Sequence, residues 1–421
     1  MGRVAARFPR VEPRRRARVF LLGLLAGLPR MNCWTIAEQA GDASPDGMQH
    51  LLGGAVWDAD RVRDDLRSYV TDHLGDPAAV LVVDETGDLK KGTKTVGVQR
   101  QYTGTAGRVE NAQVAVYLTY AAPGGYAFIG RALYLPRSWT DDPARCAAAG
   151  VPEGTRFATK PTLAGQMIAR AHAAGTPARW VAGDEVYGAD PRLRAELVDA
   201  GLGYVLAVAS DHRITTPAGT HTATGLAGRV PRHAWAQVSA GDGAKGRRFY
   251  DWALIDTIDT AADPHHIGRH WLLIRRNRHT GELAFYRAHS AQPVGLAELV
   301  RIAGTRWKIE ESFQSSKELA ALDEHQVRRW TSWHRWTVLA MLAHAFLSAM
   351  TATEPAPQPG LIPLTRNEIR RLFTATAPRS AQPHTICAGP PGGEPTKHAP
   401  EPATTSDNAP RSHDHEIRLE Y

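Results

Sequence analysis

The chain has 421 residues, of which 43% are hydrophobic and 22% charged, and a formal net charge of +7. That length buries one large core or two modest ones, which excludes a single-motif peptide. Arginine far outnumbers lysine, and its planar fork clamps phosphate, so the balance fits a polyanion such as nucleic acid, although a composition rich in Ala, Gly and Pro carries the same bias without function.

Residues 1–75 read as a helical domain. An apolar run at 19–28 follows Arg14, Arg15 and Arg16, but it ends in Pro29-Arg30 and lacks a small-residue cleavage site. It is also too short to span a bilayer, so a buried helix is expected rather than a secretory leader or a membrane span. Further helices are expected at 34–40, 48–57 and 59–74, the last with Val62, Leu66, Tyr69 and Val70 at helical spacing. Short helices flanked by Arg suit DNA binding by a helix-turn-helix-like unit and an ordinary helical subdomain equally well. Cys33, Cys146 and Cys387 form no CxxC pair, so neither a zinc site nor a disulfide framework is expected, as suits a reducing cytoplasm.

The grammar changes at residue 79. Ala79-Val-Leu-Val-Val83 is the continuous β-branched run of a strand buried on both faces, and it ends in Asp84. Residues 111–120 and 125–134 alternate around Pro123-Gly124-Gly125 and predict a hairpin. A helix is expected at 163–174, a strand at 179–183 ending in Asp184, a helix at 191–200 and a strand at 204–208. Strand, carboxylate, helix, strand is α/β order. From 214 to 294 the pattern is β-rich, with short strands at 250–255, 270–274 and 283–286 and a basic rim of Lys245, Arg247, Arg248, Arg275, Arg276 and Arg278. Core packing is the expectation for Trp252 and Trp271. Helix returns at 296–303, 306–322 and 336–350, and residues 76–213 with 295–350 form the expected core. The segment 351–421 is rich in Pro, Ala, Thr and Gly, interrupted by a helical stretch at 365–374, and reads as a mostly disordered tail.

Asp84 and Asp184 follow buried strands directly, at the carboxyl ends where open α/β sheets place their sites. A lone Asp there is more often a cap or turn former. The third element is the amphipathic helix of residues 306–322. Glu310 follows Arg306 by four residues and precedes Lys317 by seven, which puts all three on one side, one and two turns apart. Glu311 points about 100° away, so Glu310 is the expected member of the set, while Glu85 and Glu185 are expected to point away or to stand behind the site. Two Mg²⁺ ions about 3.5–4 Å apart assist in-line phosphoryl displacement, and hard divalent ions prefer carboxylate oxygens. Three acids from two strand ends and one helix meet that demand. His172, His212 and His344 show no metal-ligand spacing.

These residues resemble the insertion-sequence transposases of the Asp-Asp-Glu class, in particular the group with a Tyr-Arg-Glu-Lys signature around the glutamate. The matching pieces are residues 84–92 (Asp-Glu-Thr-Gly-Asp-Leu-Lys-Lys-Gly), 97–102 (Gly-Val-Gln-Arg-Gln-Tyr), 183–188 (Gly-Asp-Glu-Val-Tyr-Gly), 306–317 and Val327-Arg-Arg-Trp330, so the resemblance covers roughly residues 1–375. The signature tyrosine falls at Ala303 here. The resemblance implies a ribonuclease-H-like α/β core with Asp84, Asp184 and Glu310 binding two Mg²⁺, or Mn²⁺ in their place. Water then attacks a phosphodiester at an element end, and the freed 3′-hydroxyl attacks target DNA. It also implies double-stranded DNA as partner, a homodimer on that DNA, and no membrane or small-molecule cofactor. Arg306, Lys317, Lys90, Lys91, Lys94, Arg100, Tyr102, Arg275 and Arg276 are the expected DNA contacts. A haloacid-dehalogenase-type phosphatase needs an Asp at position 86, where Thr86 stands. A transposase-derived DNA-binding protein without catalysis is the alternative.

Overall fold

In the computed structural model, which describes residues 1–243, 246–258, 268–354 and 362–376, the chain begins as a helical array. A 3-10 turn at Gly2–Arg7 leads to α1 (Val11–Leu25), α2 (Cys33–Gln39), α3 (Asp46–Gly53) and α4 (Ala59–Leu74). The arginine-flanked apolar run is the buried side of α1, with Phe20 and Leu24 fully enclosed. Asn32 and Thr35 close a capping box on α2, and the Asp58 carboxylate accepts from Asp60 N–H and Arg61 N–H to start α4. The expected tail beyond about 376, Lys245 and Cys387 lie outside the described residues.

The centre is one large mixed sheet. Its first half comprises β1 (Val80–Leu89), β2 (Gln99–Thr103), β3 (Arg108–Ala122), β4 (Gly125–Leu133), β5 (Trp180–Gly183) and β6 (Gly203–Val208). Residues 79–83 are at most 1% exposed, as a strand covered on both faces requires. β1 pairs with β3 antiparallel from Val80↔Ala121 to Leu89↔Ala112, and with β5 parallel from Val80↔Trp180 to Val83↔Gly183. β5 pairs with β6 in parallel, and β4 and β2 share the far edge of β3. The strand expected to end at Asp84 continues to Leu89, because β3 keeps pairing with it after β5 has stopped. Between these strands run α5 (Arg137–Thr140), α6 (Pro143–Ala148), α7 (Lys160–Ala173), α8 (Glu185–Gly188) and α9 (Pro191–Asp199).

The β-rich stretch adds β7 (Arg213–Thr216) and β8 (Gly219–Thr222) as a separate ribbon, then a short helix absent from the sequence reading, α10 (Ala223–Ala227), which is capped by Thr222. It continues as β9 (Ala236–Gly243), β10 (Gly246–Thr257), β11 (Arg269–Arg276) and β12 (Leu283–Ser290). β12 pairs antiparallel with β6, so β9 to β12 extend the central sheet, giving the order β2-β3-β1-β5-β6-β12-β11-β10-β9 with β4 beside β3. Trp252 and Trp271 are buried, 1% and 4% exposed, in keeping with core packing.

The remaining helices are α11 (Leu296–Thr305), α12 (Trp307–Ala320), α13 (Trp330–Thr353) and α14 (Arg366–Thr376). By length and composition α13 is apolar enough to cross a membrane, yet most of it is buried inside the protein, as expected of a core helix that is hydrophobic all round. It packs on α4, β4, α3 and α1. Two buried arginines tie this layer together. Arg131 on β4 donates to Asp60 at 3.0 Å and to the His334 carbonyl at 3.0 Å. Arg335 donates to the Leu51, Leu52 and Trp57 carbonyls and lies 4.8 Å from the Trp57 ring centroid. Part of the arginine excess is therefore structural.

Candidate active site

The parallel register of β1 and β5 sets the site. Val83↔Gly183 is the last pair, so Asp84 and Asp184 are the next residues on neighbouring strands ~4.8 Å apart. Asp184 leaves the sheet as the N-cap of α8, its carboxylate accepting from Val186 N–H at 2.9 Å. Close approach of that turn to β6 depends on Gly188, where a Cβ would stand 1.9 Å from the Ala207 carbonyl oxygen. Asp84 Oδ1 accepts from Glu85 N–H at 2.7 Å.

One ligand oxygen each from Asp84, Glu85 and Asp184 falls within 4.8 Å of the other two. Of the two expectations for Glu85, pointing away or standing behind the site, the proximity to both aspartates removes the first. Strand alternation turns Glu85 to the face opposite Asp84, where the Lys160 ammonium on α7 and the buried Tyr187 hydroxyl on α8, at 2.6 Å, hold its carboxylate beside Asp184. Glu185 is exposed on the first turn of α8.

On the other face, residues 84, 86 and 88 look toward α12 and the loop after it. Arg306, between α11 and α12, reaches both ways. Its Nη1 lies 3.7 Å from Asp84 Oδ2 and its Nη2 donates to Glu310 Oε1 at 3.1 Å. Glu310 is thus joined to Asp84 through a guanidinium and stands outside the compact trio. Glu311 turns to Lys308 at 3.0 Å. Lys317 Nζ donates to Thr86 Oγ1 at 3.0 Å, and Asp88 accepts from the buried His325 at 2.9 Å. Lys90 donates to the His325 carbonyl at 3.2 Å.

The electrostatics follow from this crowding. Burial, and then the charge on Asp184, holds the Asp84 carboxyl well above its ordinary range despite Arg306. Burial and Glu85 push Asp184 up to about 6. Burial also raises Glu310, partly offset by Arg306. Burial works to raise Asp88 too, but the His325 hydrogen bond and nearby positive charges bring it below the usual carboxylate value.

Of the expected DNA contacts, Arg306, Lys317 and Lys90 stand at the site, and the others divide into two groups. Lys91, Lys94 and Arg100 are exposed, and Tyr102 is 64% exposed on β2. Arg275 stacks 4.8 Å from the Tyr250 centroid, while Arg276 stacks over Trp235 and pairs with Asp251 at 3.0 Å, so both are engaged within the protein. Sequence reasoning missed Lys160, Tyr187, Asp88 and His325. The period-2 spacing of Asp84, Thr86 and Asp88 was the available signal for Asp88, whereas nothing local marks Lys160.

A family model described as DDE superfamily endonuclease matches residues 3–244, a span that takes in Asp84 and Asp184 and stops short of α12. The chain is also similar to the "Probable transposase for insertion sequence element IS701" of Microchaete diplosiphon, 29% identical over 209 residues, or 49% of this chain. That match spans about half of the relative's length, 52%. Among solved structures, a piggyBac transposase synaptic complex with hairpin DNA aligns with a TM-score of 0.43 at 11% identity, covering 88% of this chain and 71% of the other. The family match covers more than half of the chain, which belongs to the DDE superfamily endonucleases.

Proposed function

We propose that the chain is an insertion-sequence transposase that cuts double-stranded DNA at element ends and joins the freed 3′-hydroxyl to target DNA, working in the cytoplasm as a homodimer on DNA. The observation that carries this reading is the pair of half-buried, crowded carboxylates, Asp84 and Asp184, just beyond the last parallel pair of β1 and β5. The strand order β4-β3-β1-β5-β6, three antiparallel strands followed by two parallel ones, supports a ribonuclease-H-like core. On this reading residues 76–213 and 295–350 are the catalytic core, residues 1–75 a DNA-binding part and residues 214–294 an insertion that helps hold the element end.

The donor set fits hard divalent ions. It is all oxygen, and burial together with neighbouring carboxylates raises Asp84 and Asp184 even with Arg306 present, so a further cation would relieve them. Asp84, Asp184 and Glu310 would hold two Mg²⁺, or Mn²⁺, with Glu85 beside them. The ions supply Lewis acidity for in-line displacement at phosphorus. The chain does the rest. Arg306, now on Asp84 and Glu310, is within reach of a phosphate brought to the trio, and Lys317 adds a second positive charge at Thr86. Water is the nucleophile of the first step and the 3′-hydroxyl of the second, so the reaction needs no covalent link to the protein.

Nicking of labelled DNA carrying the flanking element ends, with Mg²⁺ or Mn²⁺, tests the reading. Metal-dependent cuts at the ends that disappear in Glu310→Gln are the expected outcome. Binding without cutting by the wild type would make the chain a DNA-binding protein without catalysis. Cuts that survive Glu310→Gln would remove Glu310 from the site.

A further inference from the structure

Away from the carboxylates lies a cleft of about 670 Å³ lined by Thr93, Lys94, Trp139, Arg145, Ala148, Ala149, Arg328 and Arg329. Four of these residues are cationic and none is acidic. Arg145 is fixed in place. Its guanidinium carbon lies 3.8 Å from the centroid of the buried Trp139 ring, and its Nη2 donates to the Thr93 and Val98 carbonyls at 3.0 and 3.3 Å. Trp139 is itself pinned by its indole N–H on the Val98 carbonyl at 2.8 Å. Lys94, Arg328 and Arg329 are exposed and pair with no acidic side chain among the described residues.

Both walls of the cleft are anchored. Val96 N–H donates to the Arg328 carbonyl at 3.0 Å and Trp330 N–H to the Ala149 carbonyl at 2.9 Å. Arg329 is also the N-cap residue of α13, whose first turn holds no acidic residue. Its charge therefore sits at the positive end of a long helix, an arrangement that an anion relieves. Four like charges held within one cleft repel one another, and none of the described residues that line it is acidic.

A series of contacts links the cleft to the site. Lys317 meets Thr86, His325 meets Asp88 and Lys90, and Arg328 meets Val96, so the last turn of α12 and the loop after it track the chain from β1 rung by rung. β1 carries the chain roughly 17 Å from Asp84 to Leu89 at ~3.3 Å per residue. That is the length of about five base pairs at ~3.4 Å each.

Resting on the reading above, we infer that this cleft is a second backbone clamp, seating a phosphodiester of the same duplex about five or more base pairs from the phosphate at Asp84. Arg145 and Lys94 supply one wall, and Arg328 and Arg329 the other. Phosphate contacts of this kind fix register and orientation on the duplex and carry no sequence information of their own.

The test is binding of end-containing duplexes to the full chain without divalent ions across a salt series, wild type against Arg328→Ala/Arg329→Ala. On long duplexes the slope of log K against log salt is expected to fall in magnitude by about 0.9, the value for one lost phosphate contact, with affinity weakened several-fold or more at low salt. On duplexes trimmed to about three base pairs around the cut, the two proteins are expected to bind alike. Arg328→Lys/Arg329→Lys is expected to restore most of the slope, since a point charge suffices for phosphate. Unchanged slope and affinity on long DNA would overturn the clamp. So would an equal loss on long and trimmed DNA, or a double lysine variant no better than the double alanine. Nicking by the wild type is read separately: its absence would sink the strand-cleavage reading while the binding comparison still decides the clamp.

Discussion

Arg306 donates to Glu310 at 3.1 Å across one turn of helix, and the same guanidinium stands 3.7 Å from Asp84. A positive charge thus already occupies the ground between the strand-end carboxylate and the helix glutamate. An incoming cation must share or displace it. Arg306→Ala is therefore expected to tighten Mn²⁺ binding several-fold in the absence of DNA, as read by electron paramagnetic resonance, while end cleavage falls. Unchanged or weaker Mn²⁺ binding would place Arg306 outside the space an ion uses.

Acidity gives a second prediction. Burial and the charge of Glu85 push Asp184 up to about 6, against ~4 for an unfolded Asp. Between those values the folded protein holds more protons than the unfolded chain. The contribution of this group to stability is full below about pH 4 and is lost as pH rises through about 6. Divalent ions bind the ionised form. The gain in Tm on adding Mg²⁺ should be small at pH 5 and larger at pH 8. An equal gain at both would separate ion binding from Asp184.

Tyr187 offers a third. Its buried hydroxyl donates to Glu85 at 2.6 Å, and Tyr187→Phe removes that donor while keeping the ring. Losing a hydrogen bond to a charged group costs about 1.5–3 kcal/mol, and urea unfolding near neutral pH should show a loss in that range. Weaker Mn²⁺ binding should accompany it, because Glu85 is then free to swing from Asp184. A variant as stable as wild type would mean that water takes over the contact.

A fourth concerns backbone contact. At Gly188 an added Cβ would lie 1.9 Å from the Ala207 carbonyl oxygen, which cannot yield as a flexible side chain would. Gly188→Ala should destabilise by about 1–3 kcal/mol through forced backbone shifts, and should loosen the Asp184 turn. Thermal melting with Mg²⁺ titration reads both, and a full-strength Mg²⁺ response would detach Gly188 from the geometry of the site.

Much of the core was written locally. The run Ala79–Val83 declared a doubly covered strand, and Asp84 and Asp184 stood at strand ends in sequence as they do in space. What escaped was set by distant partners. β1 continues to Leu89 because β3 pairs with it, a partner that the polar spacing of Asp84, Thr86 and Asp88 does not name. Glu85 joins the carboxylates because Lys160 and Tyr187, far along the chain, turn it there. The β-rich stretch joins the main sheet through the pairing of β12 with β6, and strand pairing of that kind leaves no local mark. Arg131 and Arg335, counted in the charge balance as surplus, are interior fasteners.

Those fasteners have a consequence for dissecting the molecule. Leu51, Leu52 and Trp57 offer their carbonyls to Arg335, and Asp60 offers its carboxylate to Arg131. Cutting the chain before β1 would strip both arginines of these acceptors and lay bare the apolar flank of α13, including Trp333 and Trp336. A fragment beginning at residue 76 would thus leave Arg335 without its carbonyl acceptors and Arg131 without Asp60, beside exposed indoles, and is expected to aggregate. The amino-terminal helices are not an exchangeable head to be trimmed or swapped at will. Substitutions in these helices that face α13 therefore act on the long helix as well.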